Sequence, residues 1–346
     1  MQLGITMRIN GAAPKLSMDE VLEAERLGCV SVWSGEAWGT DAVSPVAWVL
    51  ARTTRIKAGT AIMQMQARTP ACAAMTAMTL NALSGGRFLL GVGPSGPQVI
   101  EGWHGVAYGK PLGRTREYIE IVRTILAREA PLTYQGEHYQ IPFTGPGATG
   151  LGKPLRSIVH GEPGMKIYTA SITPAGLRTA GEVSDGTLPI WFSPEQADQV
   201  VQPLLEGRAR AGKPRDLNDY DLAPYVKISM GNDLAACRDA LRPNLALYIG
   251  GMGARSRNFY NDFAVRLGYE EAAAKIQDLY LSGHKKDAEA LVPDKLIDEI
   301  ALVGSPDRVR DRLQAWKQVA KDGKLTTMVL TGATLPALRT VAETVL

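Results

Sequence analysis

The chain has 346 residues, a formal net charge of +3 and 45% hydrophobic residues. That length suits one barrel-sized domain or two ordinary ones, and charge spread without a basic block or aromatic–basic interleaving argues against a nucleic-acid partner. Three widely spaced cysteines, Cys29, Cys72 and Cys237, argue against a disulfide framework or a zinc site and for a reducing cytoplasm; MQLGITMRIN has no signal-peptide core, and no stretch approaches the roughly 20 apolar residues of a membrane span.

In chain order, Leu3 to Met7 predicts strand one. Ser17 opens a helix with Glu20 at capping-box spacing, and Gly28 ends it. Val30 to Trp33 is strand two, followed by the polar, aromatic run Ser34 to Asp41 and a helix across Pro45 to Thr53. Ile56 to Ile62 is strand three. Pro70 fits the first turn of a helix running from Ala71 to Leu83. That helix is almost all Ala, Met, Thr and Leu, so it needs burial on most sides, with Cys72 as a small core residue. Ser84-Gly85-Gly86 breaks it, and Arg87 to Leu90 is strand four. Gly91-Val92-Gly93-Pro94-Ser95-Gly96-Pro97 then exposes backbone where a flat or anionic ligand can approach closely.

Gly113 to Arg128 is a long amphipathic helix, Thr133 to Ile141 a small hairpin around Gln135-Gly136, and Gly145 to Gly164 a surface loop rich in Gly and Pro. Lys166 to Ala170 is strand five, and Thr173-Pro174 opens a helix through Gly181. Gly186 to Ile190 is strand six, and Ser193-Pro194-Glu195 caps a helix to Arg210. Leu222 to Met230 is strand seven, with helix over Asn232 to Ala240. Phe259 to Val292 is a charge-rich helical insertion. Ser305 caps another helix, Thr326 to Leu330 is strand eight, and a final helix starts at Leu335. Eight strand–helix units favour a (β/α)8 TIM barrel, a single domain over 1–346 with insertions at about 133–164 and 255–292.

In such a barrel, ligands and catalytic groups belong at the C-terminal strand ends. Those ends carry Ser34, Glu36 and Trp38 after strand two, and Ala61, Ile62, Gln64 and Gln66 after strand three. Strand four contributes Gly93, Ser95, Gln98, Glu101, Trp103 and His104. Strand five contributes Thr169, Ala170, Ser171 and Thr173, and strand six Trp191. The set is small, neutral and aromatic. It has no metal-ligand spacing, no G-x-S-x-G elbow and no G-x-G-x-x-G in a first βα turn. A mouth without its own nucleophile or metal suits an organic cofactor that brings the chemistry.

Leu83-Ser84-Gly85-Gly86-Arg87 followed by Leu90-Gly91-Val92-Gly93 resembles the signature of the bacterial luciferase-like superfamily. Gly93-Pro94-Ser95-Gly96-Pro97-Gln98 running into Gly102-Trp103-His104-Gly105 resembles its branch using the deazaflavin coenzyme F420, near methylenetetrahydromethanopterin reductase. Weaker matches span nearly the whole chain: Val32-Trp33, Gly59-Thr60, Arg68 with Pro70, Tyr134-Gln135-Gly136, Asp185-Gly186 and Gly304-Ser305-Pro306. The resemblance implies a luciferase-like TIM barrel with the deazaflavin at its mouth, and a non-prolyl cis peptide under the ring at Ala61–Ile62. It implies ring or ribityl contacts from Ser34, Gln64, Pro94, Ser95 and Gln98, beside Gly93, and a phosphate segment at Ala170, Ser171 and Ile172. It further implies a homodimer acting on a small organic molecule.

Departures limit the substrate. Relatives that oxidise a glucose phosphate carry an acid where this chain has Gly96 and an Asp-His pair where it has Ser34-Gly35, and the pterin reductase carries a glutamate where it has Thr6. Glu36 is a candidate proton donor or a solvated loop acid; His104 faces the ring edge or bonds within its own turn. Glu101, His138 and His160 read as surface or structural groups, and Trp38, Trp103 and Trp191 as a substrate wall or packing. The expected function is F420-dependent hydride transfer between the deazaflavin C5 and an organic substrate. The alternatives are an FMN-dependent monooxygenase on the same barrel and a non-catalytic F420-binding protein.

Overall fold

A computed structural model describes residues 1–10 and 12–346. The apolar runs pair in parallel, as helical crossovers between them require. The barrel strands are, in order, Gln2–Thr6, Ser31–Ser34, Lys57–Thr60, Phe88–Gly93, Ile167–Thr169, Gly186–Thr187, a broken seventh (Asp221–Leu222 and Tyr225–Met230) and Thr327–Thr331. Each pairs with the next, and the eighth with the first. Pro224 breaks the seventh strand without opening the ring. Ala223 and Tyr225 donate backbone N–H to Thr187 and Pro189 at 2.9 and 2.8 Å on one side. Leu222 and Pro224 accept from Thr326 and Val329 at 3.2 and 3.0 Å on the other.

Alternation along the strands sorts the side chains. Trp33, Leu89, Tyr168, Leu188, Ala223 and Val329 fill the barrel interior. Val32, Leu90, Ile167, Leu222 and Leu330 join the larger core beneath the helices. The Trp33 and Tyr168 rings meet edge-on at 4.9 Å. Below them the Asp221 carboxylate accepts from the Tyr168 hydroxyl at 2.9 Å and Thr327 Oγ1 at 2.8 Å, and burial pushes its carboxyl above the usual range. This filling leaves the C-terminal end of the barrel as the place for a ligand.

The structure corrects several expectations. The C-terminal insertion starts near residue 234 rather than 255, because the helix predicted to end at Ala240 leads directly into it. Helices Leu234–Asp239, Arg242–Ala246, Phe259–Arg266, Glu270–Leu281, Lys285–Ala290 and Asp294–Ile300 build it. It ends in an unforeseen strand, Ala301–Gly304, paired with Lys227–Met230. That strand follows helix Asp294–Ile300 with no turn residue between them, so no local signal marks its start. A hairpin, Tyr134–Gln135 with Gln140–Ile141, opens the other insertion. Ser17 makes no side-chain cap, and its expected partner Glu20 pairs with Arg8 at 2.9 Å instead. The Ser193 hydroxyl likewise turns to Glu195, at 2.9 Å, and a short 3-10 turn precedes the helix. Thr69, Thr173 and Ser305 do cap their helices. Cys72 is exposed, the buried side of its helix being carried by Ala73, Ala74, Ala77 and Met78. No described helix is long and apolar enough to cross a membrane.

The Leu83–Arg87 run has a structural explanation. Gly85 and Gly86 turn the chain at φ +65° and +86°, which residues with a Cβ rarely adopt. Arg87 then staples three elements. Its Nε donates to Ser84 O at 2.9 Å, Nη1 to Thr53 Oγ1 and Ile56 O at 3.0 Å, and Nη2 to Leu50 O at 2.7 Å and Thr53 O at 3.1 Å. The end of helix Val43–Arg52 is thereby tied to the entries of strands three and four. Arg87→Met strands these carbonyls and is expected to cost about 3–5 kcal/mol in chemical denaturation, with Arg87→Lys recovering only part. A loss below about 1 kcal/mol would contradict the staple.

Candidate functional site

The mouth is shaped by one additional residue. Strand three pairs with strand four at Ala58–Phe88 and Gly59–Leu89, and again at Met63–Val92 and Gln64–Gly93. Between these pairs strand three carries one residue more than strand four, so it bulges. Thr60 bridges the gap: its Oγ1 donates to Gly91 O at 2.7 Å and accepts from Gly91 N at 3.0 Å. The surplus emerges at Ala61–Ile62, whose peptide is cis. Ala61 N donates to Ser34 O at 2.6 Å, and Ala61 O accepts from the Tyr225 hydroxyl at 3.4 Å. Side chains are excluded around this turn. A Cβ on Gly91 would sit 1.9 Å from Thr60 O, one on Gly35 2.8 Å from Ala61 O, and one on Gly93 3.0 Å from Ile62 Cγ1.

Beside the bulge lies a hydrogen-bonded network. Gln64, 1% exposed, donates from Nε2 to Glu36 O at 3.3 Å and Ala37 O at 3.2 Å, with Ser95 Oγ also at 3.2 Å. Carbonyls only accept, so they fix which end of the amide is nitrogen. Its Oε1 therefore faces His104 Nε2 at 2.5 Å, and that ring nitrogen must carry the proton. In the neutral ring Nδ1 is then the acceptor. His104 thus bonds beyond its own turn, contrary to one sequence-based alternative. Ser95 is held at φ +56°, and its carbonyl accepts from the Tyr108 hydroxyl at 3.2 Å.

Glu36 is not a solvated loop acid: its side chain is buried and paired with Arg68. Its Oε1 accepts from Gln64 N at 2.7 Å and Arg68 Nη1 at 2.5 Å, and Oε2 accepts from Ala42 N at 2.9 Å. Both oxygens face donors, so the side chain is engaged as an acceptor on both sides. It orders the loop that carries Ser34 and Gln64. Pro94 lines this side, whereas Gln98 is exposed on the short helix Pro97–Ile100.

Across the mouth, Ala170 packs on the barrel interior. Ser171 Oγ accepts from Thr173 N at 3.4 Å, and Thr173 caps helix Pro174–Val183. Arg266, from the insertion, donates to Ile172 O at 2.8 Å and lies 4.9 Å over the Phe263 ring. Trp191, 5% exposed, packs against Tyr248, Tyr260 and Phe263 of the insertion. Trp38 and Trp103 are 58% and 66% exposed.

Sequence reasoning missed Tyr225, Lys227, Tyr108 and Arg266. Lys227 left a signal: it is the lone charge in LAPYVKISM. Several polar atoms at these strand ends are buried without a protein partner, among them Ser34 Oγ, Thr331 Oγ1 and both amide atoms of Gln66. Among the described residues no group of His, Cys, Asp or Glu could hold a metal ion.

A family model described as luciferase-like monooxygenase matches residues 6–322. A protein of Mycobacterium tuberculosis, provisionally named a coenzyme F420-dependent oxidoreductase, is 42% identical over 100% of this chain and 99% of its own length. The 5,10-methylenetetrahydromethanopterin reductase of Methanolobus tindarius is 30% identical, covering 84% of this chain and 83% of its own. The solved coenzyme F420-dependent tetrahydromethanopterin reductase of Methanopyrus kandleri shares the fold with a TM-score of 0.78 at 22% identity, covering 99% of this chain and 98% of its own.

Glu36→Gln puts an amide where three N–H donors converge. It is expected to lower unfolding stability by about 1–3 kcal/mol. Unchanged stability would restore the solvated-acid reading.

Proposed function

The chain belongs to the luciferase-like family, and on that premise we propose that it is an oxidoreductase that uses coenzyme F420 to exchange a hydride with a small organic substrate. One relative, 42% identical over the whole chain, supports the choice of coenzyme by being named for F420. The observation that carries the reading is the glycine-lined bulge at Ala61–Ile62 beside the unpartnered hydroxyl of Ser34. A flat heterocycle with hydrogen-bonding edges fits against this closely packed bulge and can satisfy a buried hydroxyl that lacks a partner.

In this reading Ile62 and Gly93 underlie the ring, and Ser34, Gln64, Pro94, Ser95 and Gln98 meet its edge and ribityl chain. Ala170, Ser171 and Ile172 offer backbone to the phosphate ahead of helix Pro174–Val183, where free N–H groups favour an anion. When bound, the deazaflavin supplies the carbon that takes or gives the hydride. The protein's share is orientation and water exclusion. Glu36 and Arg68 hold the strand-two loop, and Gln64 holds His104 with Nε2 protonated. An alcohol carbon that loses a hydride also loses its hydroxyl proton, and the second ring nitrogen of His104 is the candidate acceptor.

Fluorescence titration with oxidised F420 and, in parallel, FMN tests the assignment. Micromolar or tighter F420 binding with much weaker FMN binding is expected. Preference for FMN would move the chain to the monooxygenase chemistry of its family, and binding of neither would sink the coenzyme assignment. Ser34→Ala removes an unpaired buried hydroxyl, so the free protein should be as stable as wild type or about 1 kcal/mol more stable. Its F420 affinity should fall about 5–10-fold.

A further inference from the structure

The seventh barrel strand carries a charge into the mouth. Val226 and Ile228 point to the outer core, and Tyr225 points inward to the Ala61 carbonyl. Lys227 therefore faces the lumen, about 7 Å further toward the mouth than Tyr225. Its register partner on strand eight is Thr331. Val329 is interior and Leu330 outer, so Thr331 also faces inward, with Oγ1 buried and unpartnered.

The Lys227 ammonium has one acceptor, Asn244 Oδ1 at 2.6 Å, for three N–H bonds. Among the described residues no carboxylate lies within 4.0 Å of it. Charged groups on the helices packed nearby are occupied: Arg238 by Asp294 and Asp298, and Arg242 by Asp239 and Asp294. The adjoining strand Ala301–Gly304 bears no charge, and burial keeps the Tyr225 phenol neutral. Burial alone pulls the Lys227 amine down to about 8, so at pH 7 it is mostly a cation without a counter-ion. Such a group is costly unless an anion meets it. On the opposite side of the mouth the Glu36 carboxylate is turned to Arg68.

We propose that Lys227, assisted by the Thr331 hydroxyl, anchors a carboxylate of the substrate at the floor of the mouth. The substrate class is then a small organic acid, with its reacting carbon held toward the strand-three bulge. This deepens the oxidoreductase reading and rests on it for the reaction, though not for the binding.

Calorimetric titration with sodium propionate, and with propionamide as the uncharged isostere, tests the site in the free and the F420-loaded protein. Propionate is expected to bind at least tenfold more tightly than propionamide at pH 7. Lys227→Met, with Lys227→Gln as a second neutral variant, should lose that preference while keeping F420 affinity within about twofold of wild type. Lys227→Arg should retain the preference. Propionate binding should weaken about tenfold from pH 7 to pH 9 as the amine loses its proton. Absence of millimolar propionate binding, equal affinity for the amide, or undiminished binding in both neutral variants would overturn the proposal. Failure of F420 to bind while the propionate preference persists would instead sink the coenzyme assignment and leave the anion site standing.

Discussion

The close approach of strands three and four governs the mouth. A parallel ladder keeps equal residue counts on both sides unless something takes the place of a backbone rung. Here the Thr60 hydroxyl does so, accepting from and donating to Gly91. The approach is so tight that no side chain fits at residue 91. The surplus residue turns Ala61–Ile62 into the lumen, where Ser34 O and the Tyr225 hydroxyl take its polar groups. Gln64 is then delivered beneath the strand-two loop, with its amide oriented by two carbonyls. His104 and Ser95 follow from that orientation.

Groups that look catalytic in a sequence are here partly scaffolding. Glu36 is an acid of the strand-two loop near the mouth, yet three donors converge on it. Arg87 belongs to the family-like run after Leu83, yet it works at the N-terminal end of strand four, where strands enter the barrel. Division of labour between the barrel ends is general: groups at the entry hold the fold, and groups at the exit meet the ligand. The chemistry of this mouth then depends on few polar atoms, several of which lack protein partners.

Much of this was legible in the sequence because its signals are local. Short apolar runs, Gly85-Gly86 and the glycines at 91 and 93 each dictate backbone within a few residues, and their spacing gives the barrel. The cis peptide at Ala61–Ile62 was implied by family resemblance and not by any local preference of Ala or Ile. Long-range competition for side chains was illegible. Ser17 has a capping sequence, but its partner Glu20 is drawn away by Arg8. Glu36 meets Arg68 only once the loop and bulge are in place. Lys227 shows a charge within an apolar strand, but its inward direction depends on the register set by Tyr225 and Thr331. Ala301–Gly304 is defined by a partner more than 70 residues earlier in the chain.

On this reading the bulge after Thr60 is a seat for a deazaflavin. A crystal structure of the protein with oxidised F420 tests it most directly. The ring is expected against Ala61–Ile62, with a hydrogen bond to Ser34 Oγ and the phosphate at residues 170–172. A ring bound away from the bulge, with Ser34 Oγ still unpartnered, would contradict it.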